Sequence, residues 1–299
     1  MCPIFKRPIF IIAILTIIGA GILAFFILRK PAEIKPIENT KNLAVVEVIG
    51  MSAEGREILS YSYLPNGEAN GNGGKKIVFV GGIHGGYEWN SVLLSYQMID
   101  YFDKYPDSIP DDLTVIIIPN ANPDGVFAVT HKVGRFAIAD VSTSTKILAT
   151  GRFNANDVDL NRNFDCRWQA TSTWQSKIVS AGTKAFSEPE SLAIKNFVLK
   201  NNPSAVIFWH SKSNAVYASE CEEGILPETL NIMDAYSNAS GYPAIKSFDA
   251  YVITGDAEGW LASINIPAIT VELKTHDTVE WSQNLAGIKA IFEYYGDKN

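Results

Sequence analysis

The chain has 299 residues, 47% of them apolar and 19% charged, enough to bury a full core and suited to one large domain rather than two. Its formal charge of −7 is uneven: residues 1–35 hold five Lys/Arg and one Glu, which leaves −11 on the remainder. An acidic body lacks the basic face that phosphates require, so no nucleic-acid partner is expected.

Pro8–Leu28 (PIFIIAILTIIGAGILAFFIL) is an uncharged apolar run flanked by Lys6-Arg7 and Arg29-Lys30. It covers the roughly 20 residues needed to span a bilayer. A removable signal peptide has an apolar stretch of about 7–15 residues and a small-residue cleavage site, and neither fits well here. The expectation is an N-terminal transmembrane helix within residues 1–30, acting as an uncleaved anchor with the N-terminus inside. A polar, proline-containing stalk (31–42) then leads to a folded domain (43–299) outside the cytoplasm.

Ala44–Val48 and Glu57–Tyr63 alternate in polarity and predict an early pair of strands, and Asn66–Gly74 (NGEANGNGG) predicts a loop. Four continuous apolar runs follow: Ile77–Val80, Val115–Ile118, Ala205–Phe208 and Ala268–Val271. Continuous rather than alternating hydrophobicity marks strands covered on both faces, as in a largely parallel sheet of an α/β domain. Helices are predicted over 88–105, 188–199, 227–240 and 280–295. Pro227 suits a first helical turn, and Ser187 ahead of Glu188 and Glu190 reads as a capped start.

Each apolar run ends on polar chemistry: Gly81-Gly82-Ile83-His84, Pro119–Gly125, Trp209-His210-Ser211 and Glu272. In open α/β sheets ligands bind beyond the carboxyl ends of the strands, so these distant segments should converge. A catalytic zinc takes three His or carboxylate ligands and keeps a fourth position open. His84 and His210 follow buried-strand runs, and Glu88 is the natural third ligand because Gly85-Gly86 permits a tight turn. His131 and His276 lack that context and read as ordinary surface or loop residues. Asp159 is a candidate to receive the second N–H of a metal-bound imidazole. In an oxidising compartment Cys166 and Cys221 could pair; the alternative is two buried free thiols.

Taken together, His84…Glu88, Asn122–Gly125 (NPDG), Arg152–Phe164 (RFNANDVDLNRNF), His210-Ser211 and Thr270–Leu273 (TVEL) resemble the zinc carboxypeptidase family, which includes pancreatic carboxypeptidase A and bacterial murein peptide amidases. The resemblance runs from about Ile49 to Leu273 in the family's order, with three residues between His84 and Glu88 where the family usually has two. It implies a three-layer α/β/α sandwich around a mixed, largely parallel eight-stranded sheet, and one Zn²⁺ per chain. It further implies that Glu272 is the general base, that Arg152 stabilises the oxyanion, and that Asn161 and Arg162 grip the substrate's terminal carboxylate. Tyr251 resembles the family's mobile tyrosine, and Asp256 and Glu258 fall where the pocket for the departing residue would be; either could attract a cationic side chain, the alternative being a solvated carboxylate. The activity implied is removal of a C-terminal residue from a peptide, or cleavage of a muropeptide stem. A binding protein that merely retains the fold would lack a ligand or the base, and none is missing.

Overall fold

Residues 44–64 and 74–296 are described by the computed structural model, and the continuous apolar runs lie side by side at its centre. In chain order the strands are β1 (Val45–Met51), β2 (Glu57–Tyr63), β3 (Lys75–Val80), β4 (Leu113–Ile118), β5 (Thr171–Trp174), β6 (Lys177–Ser180), β7 (Ala205–Ser211), β8 (Ala215–Ala218), β9 (Glu220–Cys221), β10 (Gly224–Ile225), β11 (Ala244–Ile245) and β12 (Ala268–Leu273). Eight of them form one mixed sheet in the order β1-β2-β4-β3-β7-β12-β8-β11. The four predicted runs are its parallel centre, β4-β3-β7-β12, while β1, β2 and β8 join antiparallel. The small hairpins β5-β6 and β9-β10 stand apart.

Both faces of the centre are buried, and successive residues divide between two cores because strand side chains alternate. Ile77, Phe79, Ile207 and Trp209 join helices α1 (Trp89–Lys104), α5 (Pro227–Ser240) and α7 (Trp281–Tyr295) on one side. Val78, Val80, Val206 and Phe208 join α4 (Pro189–Asn201) and α6 (Ala257–Ser263) on the other. This is the expected α/β sandwich. The short helices α2 (Pro123–Thr130), α3 (Thr145–Thr150) and α6 were not predicted, being too brief for a helical period to stand out. The start of α4 also differs from expectation. Glu188 is its cap, without a side-chain bond, and Pro189 occupies the first turn; the Ser187 hydroxyl instead donates to Glu188 Oε1.

The expected anchor Pro8–Leu28, the stalk 31–42 and all but the end of the glycine-rich loop lie outside the described residues. Among the described residues no helix is long and apolar enough to cross a membrane.

Candidate active site

The carboxyl ends of β3, β7 and β12 open into a cavity of about 620 Å³. His84 follows β3, and the chain then winds through a 3₁₀ turn, Gly85–Glu88, before α1. That turn absorbs the extra residue between His84 and Glu88. Gly85 sits at φ +46°, and a Cβ there would lie 2.6 Å from Gly151 O, so only glycine lets the turn pack and swing Glu88 back toward His84. His210 lies within β7 and pairs in register with Glu272 on β12, which places the two side chains on adjacent strands.

His84, Glu88 and His210 are all buried, and ligand atoms from the three lie within 4.8 Å of one another. His210 Nδ1 is 3.1 Å from Glu88 Oε2. Atoms bonded to one tetrahedral zinc at about 2.0–2.2 Å sit roughly 3.3–3.6 Å apart, so this spacing suits two ligands of one ion. His84 Nδ1 and Asp159 Oδ1 face each other at 3.5 Å with no other partner, in a spot where Asp159 is 0% exposed. A polar pair left open in the interior is costly, and a metal on the far side of the ring would orient the imidazole toward Asp159. Burial, with Arg152 and His210 adding to it, holds the His84 pKa well below its ordinary value and keeps the ring neutral, as a ligand must be. Burial also opposes charge on His210, but Glu88 and Glu258 outweigh it and raise its pKa well above the ordinary value. Two buried imidazoles and a carboxylate grouped this closely are a donor set that fits a zinc ion, whose binding would displace a proton from His210.

The remaining predicted residues gather around this centre. Arg152 Nε donates to Asp159 Oδ2 at 2.8 Å, its guanidinium lies 4.6 Å over the Trp174 ring, and Nη1 stands 3.8 Å from Glu88 Oε1. Arg162 donates from Nε and Nη2 to Thr173 O and from Nη1 to Asn161 O. A guanidinium has five N–H groups, so donors remain for a carboxylate in the cavity that Arg162 lines. Glu272 Oε2 accepts from Ser213 N, and burial followed by the nearby Glu88 charge pushes its pKa up to about 7. Tyr251 lines the mouth on an irregular stretch ahead of α6, with its ring 4.8 Å from that of Phe248.

Glu258 lines the cavity as expected, with its carboxylate already engaged: it is 3% exposed and accepts from His210 Nε2, Thr270 Oγ1 and Asn161 Nδ2. The bond from His210 holds its pKa down against the effect of burial. Asp256 caps α6 by accepting from Gly259 N and does line the cavity, with its pKa raised to about 6 by burial and by Glu258. His276, read as an ordinary loop residue, is instead part of the cavity wall. Its Nδ1 meets Ser211 Oγ at 2.7 Å and its ring stands against Tyr87 at 4.9 Å. Its place four residues beyond Glu272, in a segment that leaves a central strand, was the signal available. Trp174, on the remote β5-β6 hairpin, had none. The two cysteines are joined, Cys166, which lines the cavity, to Cys221.

A family model described as zinc carboxypeptidase matches residues 34–280. A gamma-D-glutamyl-L-diamino acid endopeptidase of Lysinibacillus sphaericus is 23% identical over 227 residues, covering 68% of this chain and 55% of that protein. Among curated relatives of this kind the chain spans about half of their length. The crystal structure of murein-tripeptide amidase MpaA from Escherichia coli O157 superposes with a TM-score of 0.57 at 21% identity, covering 85% of this chain and 93% of that one. Thrombin-activatable fibrinolysis inhibitor gives 0.67 at 19% identity, covering 85% and 69%. At these identities the structural likeness is one of fold.

Proposed function

This chain belongs to the zinc carboxypeptidase family, and from that premise we propose that it is a zinc-dependent metallopeptidase that hydrolyses the peptide bond next to a residue bearing a free carboxylate. The observation that carries the reading is the buried cluster His84, Glu88 and His210 beside Glu272, all opening on one cavity. Zinc held there would supply Lewis acidity and activate a water. Glu272 would accept the proton of the attacking water and pass it to the leaving amine, a role suited to a carboxyl tuned toward neutrality. Arg152, clamped by Asp159 and stacked on Trp174, would offer a fixed positive charge to the developing oxyanion. Asn161 and the spare donors of Arg162 would hold the substrate's carboxylate. Tyr251 would close over the departing residue, and Asp256 would favour a cationic side chain on it.

The leading substrate is the C-terminus of a peptide. Peptidoglycan stem peptide is the second reading, favoured by the activities for which the endopeptidase and amidase relatives are named. The basic-flanked apolar run would anchor the chain with its catalytic domain outside the cytoplasm, a compartment in which the Cys166–Cys221 disulfide would persist. The test is zinc analysis of the purified protein together with mass spectrometry of peptides and muropeptides incubated with it. The reading requires about one zinc per chain and chelator-sensitive loss of single terminal residues or stem-peptide cleavage. A zinc-free preparation that takes up no zinc, or a zinc-loaded one that cleaves neither class, overturns it.

A further inference from the structure

Each imidazole of the metal cluster faces a carboxylate, and each carboxylate reaches with its second oxygen to another cavity side chain. For His84 the carboxylate is Asp159, whose Oδ2 holds Arg152. For His210 it is Glu258, whose Oε2 holds Asn161. We propose that Glu258 is a positioning residue that fixes the ring and tautomer of His210 for zinc and couples that ligand to Asn161, so that zinc and the substrate carboxylate sense one another. The inference rests on the metallopeptidase reading above.

The geometry leaves one assignment of the ring. His210 Nδ1 faces Glu88 Oε2 at 3.1 Å, so it is the nitrogen turned toward the fellow ligand and hence toward the ion. A neutral imidazole that gives its Nδ1 lone pair to a metal carries its proton on Nε2. That nitrogen points at Glu258 Oε1, 3.1 Å away. Glu258 is itself immobilised by donors from separate elements. Thr270 Oγ1 of β12 reaches Oε1 at 3.1 Å, and Asn161 Nδ2 reaches Oε2 at 3.2 Å. Thr270 and Glu272 are two apart on one strand and share a face, so the strand that presents the proposed base also steadies the carboxylate behind the ligand. Asn161 is held in turn by Ala257 N, which donates to its Oδ1 at 2.8 Å. Glu258 Oε1 is thus engaged twice and Oε2 once, and a ligand that draws on the Asn161 amide disturbs the group that holds His210.

The test uses the full chain and the variants Glu258→Gln and Thr270→Val, with folding checked by thermal melting. Zinc affinity is measured by chelator competition, with and without a free amino acid as carboxylate probe. Glu258→Gln should weaken zinc roughly 10–100-fold, the usual scale for losing such a partner, and Thr270→Val by less. In the wild type the amino acid should change zinc affinity by a factor that falls toward one in Glu258→Gln, since coupling between two sites is reciprocal. The ranking of peptides ending in Lys, Leu and Glu should not move. Zinc affinity unchanged in a folded Glu258→Gln, or a loss of Lys preference without loss of zinc, overturns the proposal. Should that variant not fold, ¹⁵N-histidine spectra of the zinc-loaded wild type decide: coordination through Nδ1 of His210 with a protected Nε2–H supports the proposal, and coordination through Nε2 sinks it. Failure of the wild type to bind zinc is a separate result and overturns the metallopeptidase reading itself.

Discussion

Replacing Arg152 by lysine keeps the charge and removes the fork, which makes it the sharpest probe of the oxyanion assignment. The guanidinium reaches Asp159 Oδ2 through Nε at 2.8 Å while Nη1 stands 3.8 Å from Glu88 Oε1 at the metal cluster. One ammonium cannot do both. If it pairs with the fully buried Asp159, the structure is largely kept: a charged hydrogen bond contributes about 1.5–3 kcal/mol, and most of that would be recovered. Deleting the charge with Arg152→Met would instead strand Asp159 and cost about 3–5 kcal/mol. The cavity-facing donor is lost in either case. Removing one oxyanion donor costs about 2.7–4 kcal/mol in the barrier, or roughly 10²–10³ in kcat. Steady-state kinetics on a peptide substrate, with zinc measured on the same preparation, should show Arg152→Lys lowering kcat by that factor with KM changed only a few-fold. A near-normal kcat refutes the assignment, and so does a loss of rate that merely tracks loss of zinc.

Glu272→Gln should retain zinc while kcat falls by roughly 10²–10⁴. In the zinc-free protein the Glu272 pKa of about 7 exceeds its unfolded value of 4.5, so the folded state binds more protons between those limits and stability from this group falls as pH rises through them. Urea denaturation at pH 5 and pH 8 should show that slope reduced in Glu272→Gln; an unchanged slope contradicts it. Asp256→Asn keeps a cap on α6 yet should weaken hydrolysis of Lys-terminated peptides selectively. In the wild type the Lys preference should be lost as pH falls through about 6, where Asp256 takes up its proton, and a preference constant from pH 5 to 8 rules this out. Reducing the Cys166–Cys221 bond, or replacing both cysteines by serine, should lower stability by about 2–4 kcal/mol for a separation of 55 residues. Equal denaturation midpoints for the oxidised and reduced forms would count against it.

The centre of the sheet was legible because hydrophobic period is a local property. Ile77–Val80, Val115–Ile118, Ala205–Phe208 and Ala268–Val271 each fall within a central parallel strand, since residues buried on both faces cannot alternate. The edges were less legible. β8 and β11 are short and take their pairing from neighbours distant in sequence. The candidate metal group His84, Glu88 and His210, with Glu272 beside it, was legible for a related reason: these four residues follow or end those strands, and topology sends all such ends to one side.

What the sequence determined, then, was that the ends of the central strands carry the polar residues of one cavity; which further residues line it, His276 and Trp174 among them, and which of them meet was decided by tertiary packing. Asp256 and Glu258 looked equivalent in sequence and both line the cavity, yet one accepts from the Gly259 amide while the other meets the His210 ring. Asp256 is the extended cap that bonds back to the first turn, whereas Glu258 lies within that turn, and the rotation of α6 against the sheet brings it to His210. That rotation is set by Trp260 and Leu261 in the core beneath α6, packed there with Phe164 and Phe186. Ser211 and His276 meet for the same reason, through contacts between segments 65 residues apart that no local pattern records.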